Sequence, residues 1–181
     1  MRMETTDEAL ALAAAGGDRD AFAALLARCY DRIFALAFRL TGSRAEAEDL
    51  TQDICAALPA KLRAFRGESC FTTWVYRVTV NAAHDRRRRA ASHARAADGW
   101  GDWELNRRAA EAEAQEQINW LQRAMRALPP DLRDTLALVL DDELTHAEAG
   151  QVLGISEGTV SWRLSEARKK LRALAAEEQG T

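Results

Sequence analysis

The 181-residue sequence predicts an all-α protein: two small helical domains joined by a linker, the second ending in a helix-turn-helix. Three observations carry this. Ala, Leu, Arg and Glu dominate, with only 10 glycines and 3 prolines, a composition of good helix formers. Apolar residues recur at three- and four-residue spacing through several long stretches. Capping residues stand where those stretches begin. No strand alternation and no internal repeat is visible.

Asp18 is a natural N-cap, and after it Phe22, Leu25, Leu26, Cys29, Ile33, Leu36 and Leu40 mark one helical face. "TGS" at 41–43 ends that helix, and Ser43 with Glu46 forms a capping box for the next. Its apolar stripe is Ala47, Leu50, Ile54 and Ala57; its other faces carry Glu46, Glu48, Asp49, Gln52 and Asp53. Pro59 is expected to end or kink it. "FRGES" at 65–69 reads as a loop. A third helix follows, with Phe71, Trp74, Val75, Val78 and Ala82 on one stripe and Arg86, Arg87, Arg88 and Arg89 at its end. Tyr76, Asn81 and His84 fall off that stripe and are expected to face a ligand. These helices make a first domain over 12–90.

The stretch beginning "ASHARAADGWGDWELNRR" is small, polar and charged, and 91–112 reads as a linker. Its Trp100 and Trp103 are expected to dock on a domain surface. Periodicity resumes over 111–128, opening a second domain at 113–175. "LPPDLR" starts another helix with a proline near its first turn. Leu132, Leu136, Val139 and Leu140 are expected to face the core, and "DDEL" to make a turn. Thr145 and Glu148 form a second capping box, Gly154 ends that short helix and Ser156 caps the last.

With 48% hydrophobic residues, a real core is feasible. No apolar run approaches the roughly 18 residues of a membrane span. Met1 to Leu12 lack a basic region followed by a long apolar one, so no signal peptide is expected. Cys29, Cys55 and Cys70 form no C-x-x-C pair and read as reduced and cytoplasmic. With His84, His93 and His146 they show no metal-ligand spacing. No nucleophile–base set or phosphate loop appears, so neither an enzyme nor a cofactor is expected.

The net charge of −3 hides an asymmetry. Residues 61–97 hold 9 basic and 2 acidic groups, while the flanking segments are acidic. An anionic partner belongs at the basic segment and a different one elsewhere. Nucleic acid fits: aromatic rings stack on unpaired bases while arginines follow the backbone. The bland alternative is that Phe71 and Trp74 are core and the arginine run a solvated helix end, and at its stripe position Trp74 is expected to be core.

The segment 145–171 is helix, tight turn, helix. Such a motif needs a small residue on its first helix, a glycine at the turn and a branched apolar residue in the second. Gly150, Gly154 and Val160 meet these needs. Val160, Leu164, Ala167 and Leu171 form the inner stripe of the second helix. Thr159, Ser161, Trp162, Arg163, Ser165, Arg168 and Lys169 are the candidate residues for base edges and phosphates.

In order, "AEAEDLTQDI", "FRGESCFTTWVYRVTVNAA" and "GTVSWRLSEARKKL" resemble bacterial RNA polymerase sigma factors, in the small extracytoplasmic-function group. The resemblance spans about residues 18–173. It implies a transcription initiation factor. Glu48, Asp49, Gln52 and Asp53 would meet the clamp helices of the polymerase's largest subunit. Arg66, Phe71, Tyr76, Arg77, Asn81, Arg86, Arg87, Arg88 and Arg89 would open the −10 promoter element and hold an extruded base. The linker would thread the RNA exit path. The helix-turn-helix would read the −35 element, and an anti-sigma factor is an expected partner of a monomeric chain. The sequence departs from the family pattern at "EAG" 148–150, "SW" 161–162, Glu166 and Pro59. Trp162 then offers a ring to a thymine methyl or to a protein. The rival readings are a stand-alone helix-turn-helix regulator, against which no dimerisation heptad is visible, and a helical protein-interaction adaptor.

Overall fold

The computed structural model describes residues 5–96, 112–140 and 144–179. All of its regular structure is helical. The helices are α1 (Asp7–Ala15), α2 (Arg19–Thr41), α3 (Arg44–Leu62), α4 (Phe71–Ala96), α5 (Ala112–Ala127), α6 (Pro130–Val139), α7 (His146–Leu153) and α8 (Glu157–Gln179). The expected turn at "DDEL" falls largely outside the described residues, as do Trp100, Trp103 and most of the expected linker.

The boundaries follow local chemistry. Asp18 accepts hydrogen bonds from the Asp20 and Ala21 amides at the start of α2. Gly42 ends α2 at φ 66°, its N–H returning to the Phe38 carbonyl. Ser43 accepts from the Glu46 amide, one half of the expected capping box. Thr145 and Glu148 make both halves of theirs, and Ser156 accepts from the Thr159 amide at the start of α8.

The packing corrects several expectations. The first bundle begins earlier than residue 12, because α1 buries Leu10 and Ala11 against it. Pro59 does not end α3, which runs on to Leu62. The exposed ring sits between buried Leu58 and Leu62, and their burial outweighs one lost backbone hydrogen bond. Helix α4 continues past the arginine run and past residue 91 to Ala96. Leu140 is 42% exposed and Val139 only half-buried; Ala137 and Leu138 fill the core there instead.

The largest shift concerns α4. Buried positions include Phe71, Thr73, Val75, Tyr76, Thr79, Val80 and Ala83, a wider arc than one stripe. The helix is covered on one side by α2 and on another by α7. Thr79 is admitted because its hydroxyl donates to the Val75 carbonyl. Helices α1 to α4 form one bundle, and α6, α7 and α8 pack together as the helix-turn-helix unit. The two groups touch through α4 on α7 and α2 on α6, so a single apolar cluster runs through both.

Candidate nucleic-acid interface

Helix α3 presents Glu48, Asp49, Gln52 and Asp53 to solvent because Ala47, Leu50, Thr51 and Ile54 take the inner face. Arg44 pairs with Glu48 at 2.9 Å, one turn apart. Arg86 of α4 reaches Asp49 at 3.2 Å and Asp53 at 3.5 Å. These pairs are exposed and contribute little stability, so a partner's cations can replace them.

The loop before α4 turns at Gly67, whose φ is 71°. It closes a cavity of about 590 Å³ lined by Phe65, Arg66, Glu68, Ser69, Trp74, Arg77 and, from α7, Gln151. Phe65, Phe71 and Trp74 pack in a cluster with ring centroids 5.3–5.8 Å apart. Phe71 and Phe65 are its buried members, at 1% and 4% exposure, and half-buried Trp74 lines the cavity. The start of α4 is fixed by α1: the Phe71 amide donates to Glu8 Oε1 at 3.0 Å. That bond is the main reason the Glu8 carboxyl sits below its ordinary value.

Two expected base-contacting residues are therefore core residues here. Phe71 underlies Trp74, and Tyr76 is 1% exposed because α4 is covered on two sides. Arg66, Arg77, Asn81, Arg88 and Arg89 are exposed. Arg77 donates to the Gln151 carbonyl of α7 at 3.0 Å, and Arg88 pairs with Asp85. Arg87 donates to Asp134 Oδ2 at 2.7 Å, and His84 Nε2 lies 2.8 Å from the same oxygen. Trp74 carries the aromatic surface that sequence reasoning assigned to Phe71 and Tyr76. It was expected in the core, on the same helical stripe as Phe71 and Val78, but is half-buried because the cavity opens beside it.

In the helix-turn-helix, a Cβ on Gly150 would lie 2.7 Å from the Ile155 carbonyl oxygen, so the turn can approach α7 only over a glycine. Gly154 supplies the left-handed turn at φ 68°. Val160, Leu164 and Ala167 are buried. Ser161, Trp162, Ser165, Arg168 and Lys169 are exposed on α8, Trp162 at 60%. Ser161 Oγ lies 3.0 Å from His146 Nδ1. Thr159 and Arg163 are half-buried: the Thr159 hydroxyl bonds Ser156, and Arg163 reaches Asp131 of α6 at 3.6 Å. The outer surface thus combines small hydroxyls, one large ring and two free-standing cations over about two turns.

Among the described residues no group of His, Cys, Asp or Glu has the arrangement of a metal site. No described helix is long and apolar enough to cross a membrane.

Two family models match the chain: Sigma-70 region 2 over residues 25–93 and Sigma-70 region 4 over residues 124–173. The chain is 33% identical over 174 residues to the ECF RNA polymerase sigma factor SigM of Mycobacterium tuberculosis, covering 96% of this chain and 86% of the relative. It is 30% identical over 167 residues to the ECF RNA polymerase sigma factor SigW of Bacillus subtilis, covering 86% and 89%. CnrH, solved in complex with the cytosolic domain of CnrY, superposes with a TM-score of 0.71 at 27% identity, covering 94% and 97%. The sigma factor RpoE of Bartonella quintana, solved with the anti-sigma factor NepR, shares the fold at a TM-score of 0.73 and 23% identity, covering 86% and 96%.

Proposed function

This chain belongs to the extracytoplasmic-function RNA polymerase sigma factors, transcription initiation factors that direct the polymerase to promoters, and we propose how its surfaces divide that work. The acidic face of α3, with Glu48, Asp49, Gln52 and Asp53, docks on basic clamp helices of core polymerase. The cavity of Arg66, Trp74 and Arg77 takes an extruded base of the −10 element. Asn81, Arg86, Arg88 and Arg89 follow the adjoining strand, with Arg87 joining them once released from Asp134. The exposed face of α8 reads the −35 element, with Trp162 on a thymine methyl and Arg168 and Lys169 on phosphates. The chain acts in the cytoplasm as a monomer without catalysis of its own. A protein of the anti-sigma kind, such as the NepR bound to the RpoE neighbour, is its natural antagonist.

The observation that carries this reading is the cavity beside the basic helix end. It offers the Trp74 ring for stacking, and two guanidinium groups against the one carboxylate of Glu68 for the flanking phosphates, on a chain that also presents a helix-turn-helix face. Stacking on an aromatic ring contributes about 1–3 kcal/mol per base. Trp74→Ala is therefore expected to lower promoter opening roughly 5- to 150-fold, read from a fluorescent base analogue in the −10 element, with core polymerase binding unchanged. Opening at the parent's level by a folded Trp74→Ala variant would remove the base-pocket assignment.

A further inference from the structure

We propose that the seam between the two helical groups binds a free oxyanion of the phosphate class, held between Arg87 of α4 and Arg133 of α6. The site is a cavity of about 340 Å³ where α2, α3, α4 and α6 meet, with Thr41, Glu46, Arg86, Arg87 and Arg133 on its walls. It is separate from the base cavity and beyond the promoter reading.

Two donors single it out. Arg87 Nη1 and Arg133 Nε are both buried, and neither has a hydrogen-bond partner. Buried donors on charged groups are costly to leave unpaired. Nor are these idle rotamers: Arg87 is fixed from its other side, where Nη2 donates to Asp134. The protein also holds two cations against each other. The Arg133 guanidinium is pushed below its ordinary value, first by burial and next by Arg87, with Arg126 adding to the effect. Asp134 and Glu46 offset only part of that.

The acids nearby are too few to neutralise these cations. Arg86 spends its charge on Asp49 and Asp53 on the outer face. Asp134 lines the neighbouring cleft with His84, Arg88, Arg163 and the other side of Arg87, and its Oδ1 is buried without a partner, so it meets Arg87 through Oδ2 alone. Glu46 is the one carboxylate among the lining residues, against three guanidinium groups. A tetrahedral oxyanion has several acceptor oxygens and accepts from two guanidinium groups at once, the geometry for which arginine is suited. It would tie α4 to α6 and favour the closed arrangement. If the promoter reading holds, it also withholds Arg87 from DNA.

The test is thermal unfolding of the full chain in inorganic phosphate against chloride at equal ionic strength, with phosphorus-31 line broadening as a direct readout of binding. At ten times its dissociation constant, phosphate should raise Tm by roughly 3–5 °C. Arg133→Gln should abolish both the rise and the broadening. Glu46→Gln, an exposed and near-isosteric change, should bind phosphate several-fold more tightly. No rise and no broadening in the parent overturns the proposal, as does an equal rise in Arg133→Gln. Should Arg133→Gln fail to fold, Glu46→Gln decides: tighter binding supports the site, and equal or weaker binding overturns it.

Discussion

Gly150 shows how a single residue sets the geometry of the helix-turn-helix. Alanine is favoured over glycine in a helix by about 1 kcal/mol, so propensity alone makes Gly150→Ala stabilising. The added Cβ, however, meets the Ile155 carbonyl oxygen at 2.7 Å, and that atom is backbone held by the turn. Overpacking of this kind costs about 1–3 kcal/mol, so the clash outweighs the propensity gain. Gly150→Ala should lower Tm by a few degrees and weaken −35 binding, and an unchanged or raised Tm would show that the turn can relax. At this scale the sequence was partly readable. Gly150 and Gly154 are placed by local chemistry, and so is exposed Trp162. Tyr76 was not placed correctly, because its burial depends on α7, which periodicity within α4 does not report, whereas Phe71 lies on the expected apolar stripe and is buried, and only the resemblance gave it a base contact.

Among the elements, α7 depends most visibly on its ends, since it has only 8 residues. Thr145 accepts from the Glu148 amide at 3.2 Å, while Glu148 Oε2 accepts from the Thr145 amide at 2.8 Å and its hydroxyl at 2.7 Å. These bonds hold the Glu148 carboxyl below its ordinary 4.5, the backbone bond first. A lowered folded value means the contribution is present in full above pH 4.5 and is lost as pH falls through the folded value. Thr145→Ala should cost about 1 kcal/mol at neutral pH by urea unfolding. Its deficit should shrink on the acid side, where the parent loses the same bonds; a deficit constant with pH would mean the box is not the cause. Caps such as Asp18, Thr145, Gly154 and Ser156 were legible because each acts within one turn of its own helix. Helix α1 was not, since an alanine-rich stretch that buries Leu10 and Ala11 carries little periodic signal. Pro59 misled because the packing of Leu58 and Leu62 is set by other helices.

The whole molecule is closed across a seam that no sequence pattern announces. Asp134 is 3% exposed, yet its partners His84 and Arg87 lie 50 and 47 residues away in the chain. The Arg77 bond to Gln151 spans 74 residues and brings α7 to the rim of the base cavity. Because α7 covers one side of α4 and holds Arg77, the proposed −10 reading by α4 requires the two groups to open. Removing one partner of a buried ion pair costs about 3–5 kcal/mol. Arg87 keeps 31% side-chain exposure and can turn to water, which places Asp134→Asn nearer 1–3 kcal/mol. The variant should show a larger hydrodynamic radius and tighter binding of free protein to promoter DNA, whereas an unchanged radius would mean the apolar contacts alone hold the seam. The central claim concerns what this molecule does on a polymerase. Its most direct test is run-off transcription with purified core RNA polymerase on a genomic fragment library, with and without the chain. Discrete new start sites sharing a pair of spaced upstream elements are the predicted result. The absence of both new start sites and binding to core polymerase would contradict it.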